Sequence, residues 1–313
     1  MNENKAAISV HQLKKSYKKV TVLQDVSFSV KKGSIFALLG ANGSGKTTTI
    51  NILTTLLSAD GGTAIVDGYD TAKQASDVRN HISLTGQFAA VDDILTAREN
   101  LELITDLRHV ASPKKIVNDL LKKFDLEEAA DRRVATFSGG MRRRLDIAMS
   151  LIGKPSIIFF DEPTTGLDPQ SRNSMWRTIR TLADSGTTIF LTTQYLEEAD
   201  QLADKIAILN KGTIVAEGTA AQLKKLLPHG QVELKFQTEE RLRRAIKILH
   251  EFKSAEDKSA LSLTLTTDGS VAGLTSILNL LERAHVDITE FAQKPPTLDD
   301  VFLKIVNETK ETK

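Results

Sequence analysis

Residues 40–47 read Gly-Ala-Asn-Gly-Ser-Gly-Lys-Thr, and no other stretch constrains the fold of this chain as strongly. Glycine at 40, 43 and 45 is costly inside a helix or strand, so the segment is a turn whose backbone needs room or unusual angles. Before it, residues 35–39 (Ile-Phe-Ala-Leu-Leu) form an uninterrupted apolar run, the pattern of a strand buried on both faces. After it, Ile50, Ile52, Leu53 and Leu56 give residues 47–57 a helical spacing. A buried strand that passes through a glycine turn into a helix brings free N–H groups and the positive helix end to one place, which suits a polyphosphate. Gly40, Asn42, Gly43, Ser44 and Gly45 then form the cradle. Lys46 carries a point charge to the β- and γ-phosphates, Thr47 offers a hydroxyl to Mg2+, and Thr48 stands beside it. The competing reading is an ordinary glycine turn.

The remaining pattern extends this unit into an α/β domain. Short β-branched runs at 8–10, 20–23 and 26–30 precede the turn, and residues 71–133 read as helical, with segments at 92–105, 113–123 and 126–130. Alternation then resumes with helices at 141–152, 169–183 and 197–203 and strands at 156–160, 187–192, 206–209 and 213–217, which argues for a largely parallel sheet. Pro228-His229-Gly230 reads as a linker. We therefore expect a first domain at 1–227, with a helical lobe at about 88–135, and a second, small α+β domain at 228–313. In the second domain, strands at 232–236, 261–266 and 287–291 alternate with helices at 239–252 and 271–284. The tail 295–303 combines two prolines, a Thr297 cap with Asp300 three residues on, and a short amphipathic helix.

Ser156-Ile-Ile-Phe-Phe-Asp161-Glu162 is an apolar strand ending in two carboxylates. Behind a phosphate loop, Asp161 suits Mg2+ through water and Glu162 suits polarisation of an attacking water, the two duties phosphoryl transfer leaves to acids. The alternative is a buried strand ending in solvated acids.

Phe137-Ser138-Gly139-Gly140-Met141-Arg142, just before that strand, resembles the signature of ABC-transporter ATP-binding subunits, of the daunorubicin/doxorubicin-resistance exporter type in particular. The resemblance covers residues 8 to about 225 and, weakly, the Leu-Asp-Asp-Val-Phe-Leu tail. It implies a P-loop NTPase cassette with a helical subdomain, ATP and Mg2+ as ligands, and ATP hydrolysis. It further implies a homodimer that sandwiches nucleotide, Ser138, Gly139 and Gly140 of one chain meeting the phosphates held by the other.

Single positions carry over in the same way. Tyr17 corresponds to an aromatic that stacks on adenine, or else is a core aromatic. Gln87 corresponds to a loop that touches Mg2+, or else is a polar turn. Gly166-Leu167-Asp168 corresponds to a loop at the dimer interface, with Asp168 also placed to cap a helix. Met141 stands where most cassettes have glutamine, and Gln194 stands at the usual switch histidine. A carboxamide donates a hydrogen bond to a γ-phosphate but carries no proton near neutral pH. Gln194 is thus expected to sense phosphate without acid–base work, or to be an inert loop residue.

Composition narrows the partners. With 41 basic and 40 acidic residues the chain has no global field that recruits nucleic acid. It has no cysteine, hence no disulfide framework or thiolate metal site. Neither an apolar signal core at the start nor a span of about 18 apolar residues is present in the sequence, so a cytoplasmic chain, peripheral to the membrane, with a separate multi-span permease is expected. The arginines 142–144 read as a solvated face or as partners of nearby acids, Glu197, Glu198 and Asp200 as an exposed helix face, and the six histidines as dispersed. The coupling surface toward a permease is expected near 88–101, and the second domain is assigned self-association or regulation. A soluble ATP-driven clamp on ribosomes or DNA, and a low-turnover ATP-gated regulator, are the alternative functions.

Overall fold

The computed structural model describes residues 6–87, 89–226, 230–267, 269–294 and 297–311. Contacts divide the chain into two units, Met1–Ala220 and Ala221–Lys313. The residues expected as a linker, Pro228 and His229, and the prolines 295 and 296 of the tail lie outside the described residues, as does Phe88.

The first unit opens with two long antiparallel strands, β1 (Ala6–Tyr17) and β2 (Val20–Lys31), in place of the three short runs read from sequence. Register shifts let β1 bend, which breaks the alternation that would have revealed one continuous strand. The buried strand β3 (Ile35–Leu39) leads through the glycine turn into α1 (Lys46–Leu53). That helix stops before residue 57: the Thr54 hydroxyl donates to Ile50 O at 2.9 Å, and Thr55 has φ 65°.

Next come β4 (Gly61–Val66), β5 (Tyr69–Asp70), α2 (Ala75–His81) and β6 (Ile82–Thr85). Strand β6 falls inside the stretch expected to be helical. Its four residues are too few to carry a periodicity, and its ladder partner lies some seventy residues downstream, Ile82 facing Ile157. The helical lobe follows as α3 (Ala97–Leu107) and α4 (Pro113–Lys123). Thr96 and Glu99 close a reciprocal capping box at the start of α3, worth about 1 kcal/mol. Then come α5 (Gly139–Ser150), β7 (Ile157–Asp161), α6 (Pro169–Asp184), β8 (Thr188–Thr193), α7 (Leu196–Leu202), β9 (Lys205–Asn210) and β10 (Thr213–Gly218).

Ten strands form one sheet in the order β5-β4-β1-β2-β10-β9-β3-β8-β7-β6. The run β9-β3-β8-β7-β6 is parallel, and β3, β7 and β8 are buried along their whole length, as strands with both faces covered must be. Phe28, Phe36 and Phe190 stack through the core and Phe159 packs tilted against Phe190, with successive ring centroids 5.1, 5.5 and 5.4 Å apart. This rigid centre brings the loops after β3, β6, β7 and β8 to the same end of the sheet, where ligands bind in α/β folds.

After α8 (Ala220–Lys224), the second unit runs β11 (Gln231–Lys235), α9 (Glu239–Ile248), β12 (Ser254–Asp257), β13 (Ser262–Thr266), α10 (Val271–Arg283), β14 (Glu290–Lys294) and α11 (Leu298–Glu311). The sheet order β12-β13-β11-β14, antiparallel throughout, with βαββαβ connectivity, is the split-βαβ arrangement. Strand β12 was not anticipated because all four of its residues are exposed at the sheet edge. The last strand lies at Glu290–Lys294, C-terminal to the expected 287–291, because Thr289 N bonds Lys235 O before the ladder starts. Thr297 and Asp300 form the expected reciprocal cap.

Candidate functional site

The loop after β3 is shaped by close approach. A Cβ on Gly40 would lie 2.5 Å from both Leu209 O and Ser44 Oγ, and Gly45, at φ 112°, would bring one to 2.6 Å from Leu23 Cδ2. Lys46 turns back under this loop and donates to Gly40 O at 2.9 Å and Ala41 O at 3.2 Å. Its ammonium lies 3.2 Å from Glu162 Oε1. Glu162 follows β7 in a left-handed conformation, φ 49°, a strained state for a non-glycine residue that surrounding structure must impose. The restraint is Thr192 on β8, whose carbonyl and hydroxyl oxygens both accept from Glu162 N at 3.1 Å. The Thr192 hydroxyl in turn donates to Asp161 Oδ1 at 2.5 Å, and Thr165 Oγ1 donates to Glu162 Oε2 at 3.2 Å.

Around these groups lies a cleft of about 420 Å3 lined by Asn42, Gly43, Gly45, Lys46, Thr47, Thr48, Gln87, Glu162, Gln194 and Val22. Gly40, Ser44 and Asp161 are expected site residues that do not line it: Asp161 is buried behind Glu162, and Ser44 beneath the loop. The Ser44 hydroxyl is buried without a hydrogen-bond partner. That orphan, the cradle that a Cβ would fill, the buried Lys46 cation and the Thr47 hydroxyl together fit a magnesium-bound polyphosphate.

Tyr17 is neither a core aromatic nor part of this cleft. It is 46% exposed at the end of β1, with Lys15 Nζ 5.8 Å from its ring centroid. Val22, which sequence reasoning passed over, lines the cleft instead. Its signal was only a half-buried β-branched residue in β2, and nothing local marks it as a ligand contact.

Ser138, Gly140 and Met141 line a second, separate cleft of about 250 Å3 with Leu167 and Ser171. Ser138 caps α5, accepting from Met141 N at 3.3 Å, and a Cβ on Gly140 would meet Ser171 Oγ at 2.8 Å, so that hydroxyl would have to turn away from Asp168. Gly139 is open, with nothing near its Cβ position. Asp168 caps α6 through Ser171 N at 2.9 Å and Ser171 Oγ at 2.6 Å, and the hydrogen bond from the Ser171 hydroxyl holds its carboxyl below the usual range.

Residues 23–165 match the ABC transporter family, and residues 218–306 match the C-terminal domain of the DrrA1-3-like ATP-binding proteins. The daunorubicin resistance ATP-binding protein DrrA2 of Streptomyces coeruleorubidus is 40% identical over 310 residues, covering 97% of this chain and 96% of its own length. This chain belongs to the ABC-transporter ATP-binding subunits. The daunorubicin/doxorubicin resistance protein DrrA of Streptomyces peucetius is 41% identical across 96% of the chain and 92% of its own length. The linearmycin resistance protein LnrL of Bacillus subtilis is 33% identical across 96% and 99%. A solved ATP-binding subunit of an ABC transporter superposes with a TM-score of 0.64 at 28% identity, covering 70% of this chain and 92% of that one. A dimeric cassette in a post-hydrolysis state, bound to ADP and Pi, gives 0.62 at 26%, covering 68% and 98%. The ABC subunit is an ATP hydrolase of this class, and full-length single-cassette relatives do not favour the clamp reading.

Two charged positions in this ABC subunit are more buried than their side-chain type suggests. Arg143, read as part of a solvated face or as a partner of nearby acids, is 5% exposed, against the first alternative, and pairs with the nearby Asp146 at 3.0 Å, in line with the second. Burial lowers the Arg143 pKa, and burial raises that of Asp146 despite the arginine beside it. The neighbouring Arg142 and Arg144 do pair at the surface, with Asp93 and Asp125. Glu198, expected on an exposed helix face, is fully buried, and Trp176 Nε1 donates to it at 3.2 Å. Burial raises its pKa against the Thr193, Thr164 and Trp176 groups that face it. What buries them comes from other segments, the Gly86 and Pro163 carbonyls for Arg143 and the Trp176 ring of α6 for Glu198, so side-chain type alone suggested solvent.

Proposed function

We propose that two copies of this chain pair head to tail around two Mg2+-ATP molecules and drive a separate membrane permease that exports a hydrophobic drug or antibiotic. The observation that carries the pairing is the separation of the Lys46–Glu162 cleft from the Ser138–Gly140 cleft on one chain. Each is half a site. A partner's α5 start, with its free N–H groups, supplies the charge complement that Lys46 provides from the other side.

Within each composite site the N–H groups of residues 42–47 and the Lys46 ammonium bind the phosphates. Thr47, Gln87 and Asp161 would hold magnesium, which would neutralise the charge that grows on the phosphates. Glu162 orients the attacking water and receives its proton, with its carboxylate aimed by Thr165 and Lys46. Gln194 donates its amide to the γ-phosphate. Adenine stacks on the exposed Tyr17 ring, while Val22 lines the phosphate cleft.

Drug export rests on the resistance functions in the names of the relatives. A separate permease is consistent with the described residues, in which no helix is long and apolar enough to cross a membrane. The subunit would then sit on the cytoplasmic membrane face, and its near-neutral charge supports no nucleic-acid partner. The test is recovery of tagged protein from membranes with a multi-span protein, combined with efflux of a fluorescent anthracycline from cells expressing both. Efflux that requires ATP and disappears in Glu162→Gln supports the proposal. Recovery with ribosomes or DNA, and no efflux, overturns it.

A further inference from the structure

The buried Arg143 guanidinium joins three segments that sequence keeps apart. Its Nε donates to Pro163 O at 3.1 Å, and its Nη1 donates to Gly86 O at 2.7 Å and to Asp146 Oδ2 at 3.0 Å. The other Asp146 oxygen accepts from Ala90 N at 3.1 Å. Each carbonyl it grips belongs to the residue next to a cleft residue: Pro163 follows Glu162, and Gly86 precedes Gln87. Arg143 itself rides on α5, whose first turn carries Ser138 and Gly140. One side chain therefore ties the helix of one half-site to the carboxylate and the amide of the other.

A buried ion pair is expensive, and packed apolar residues do as well for stability, so its value lies in fixing a geometry. Here the geometry concerned is that of a strained residue. Glu162 is held at φ 49° by Thr192 on its N–H side, its own carbonyl accepts from Thr165 N at 3.2 Å, and the next carbonyl along, Pro163 O, is held by Arg143. An arginine suits this task because its planar fork reaches two carbonyls and a carboxylate at once, which a lysine point charge does not.

We propose that Arg143, oriented by Asp146, is a positioning residue for hydrolysis: it sets Glu162 and Gln87 in register with α5, so that movement of that helix is felt at the catalytic carboxylate. The inference rests on the assignment of Glu162 as the base. Displacement of a reacting group by about 1 Å costs on the order of a hundredfold in rate, whereas the bonds of Arg143 go to Pro163, Gly86 and Asp146 and not to the phosphate loop at residues 40–47.

The test uses the full chain with its permease and compares wild type, Arg143→Gln, Arg143→Lys, Asp146→Asn, Glu162→Gln and the double variant Arg143→Gln/Glu162→Gln. Steady-state phosphate release gives kcat, and a fluorescent ATP analogue gives Kd. We expect Arg143→Gln to lower kcat by at least about tenfold with Kd within about threefold, Arg143→Lys to recover part of the loss, and the double variant to be no slower than Glu162→Gln alone. Arg143→Lys keeps the charge and one carbonyl bond, so it decides the matter if Arg143→Gln fails to fold. Unchanged kcat in the folded variants, a parallel loss of kcat and Kd, or additive losses in the double variant would overturn the proposal. A wild type that hydrolyses ATP but is unaffected by Glu162→Gln instead refutes the Glu162 assignment on which it rests, and the Arg143 single variants then read separately.

Discussion

Lys46 Nζ lies 3.2 Å from Glu162 Oε1, with both side chains nearly buried, so the residue that holds phosphate and the residue placed to activate water restrain each other. Glu162→Gln keeps an oxygen for Lys46 and turns an amide N–H toward the Thr165 hydroxyl, which can accept it, while removing the basic carboxylate. We expect it to lower turnover by about 10² to 10⁴-fold, with ATP affinity and melting temperature close to wild type. Lys46→Met leaves a buried carboxylate without its cation and is expected to weaken both ATP binding and the fold. Phosphate release, nucleotide titration and thermal melts distinguish the two, and equal loss of binding in both variants contradicts this division of labour.

Gln194 faces the same cleft and does not titrate. Gln194→Ala should slow hydrolysis by about a hundredfold, the usual cost of removing one aimed donor. Gln194→His should restore turnover and add a pH-dependent limb at about 6.5 that the natural chain lacks. Profiles of kcat against pH for the three proteins are the measurement. Normal hydrolysis in Gln194→Ala, alongside a dead Glu162→Gln, refutes the sensor role.

The parts of the site that sequence revealed are those where one segment does one job. The glycine turn between β3 and α1, the acids at the end of β7 and the Ser138 cap each announce themselves within about ten residues. What stayed hidden depends on contacts between distant segments. Strand β6 is legible only through its pairing with β7, Val22 only through the turn of β2 toward Gly45, and the burial of Arg143 only because Gly86 and Pro163 converge on it. Glu198 misleads for the same reason: Trp176, one helix earlier, turns a surface-type residue into an interior one. The edge strand β12 has no buried face and so no alternation to detect.

Two glycines separate fold from site. Gly62, at φ 80°, would place a Cβ 2.3 Å from Gln12 O, a backbone atom that cannot step aside, and neither residue lines the cleft. Gly62→Ala should therefore destabilise by about 1–3 kcal/mol while the folded fraction keeps its ATP affinity. Gly45→Ala suffers a similar backbone penalty at φ 112° and also deforms the cradle, so it should lose ATP affinity as well. Urea unfolding with parallel nucleotide titrations checks the pair. Loss of ATP affinity in folded Gly62→Ala contradicts the separation.

Glu198 makes the stability of the cassette depend on pH in the sense opposite to most carboxylates. Burial raises its pKa above the ordinary 4.5, so as pH rises the unfolded chain releases this proton before the folded chain does. Its contribution is most favourable below the unfolded value and is lost as pH climbs from there through the raised folded one. Asp67 slopes the other way: its burial is outweighed by the Lys32 and Ser156 hydrogen bonds, which depress its pKa, so its contribution is present above the unfolded value of 3.8 and lost in acid. A wild-type curve alone mixes the two. The difference between wild type and Glu198→Gln isolates Glu198, because the substituted carboxamide keeps an acceptor for Trp176 Nε1 and leaves Asp67 alone. Urea unfolding at a series of pH values should show the variant gaining on wild type as pH rises above 4.5. A flat difference, or one that favours wild type with rising pH, would mean that the Trp176, Thr193 and Thr164 contacts stabilise the ionised carboxylate more than burial penalises it.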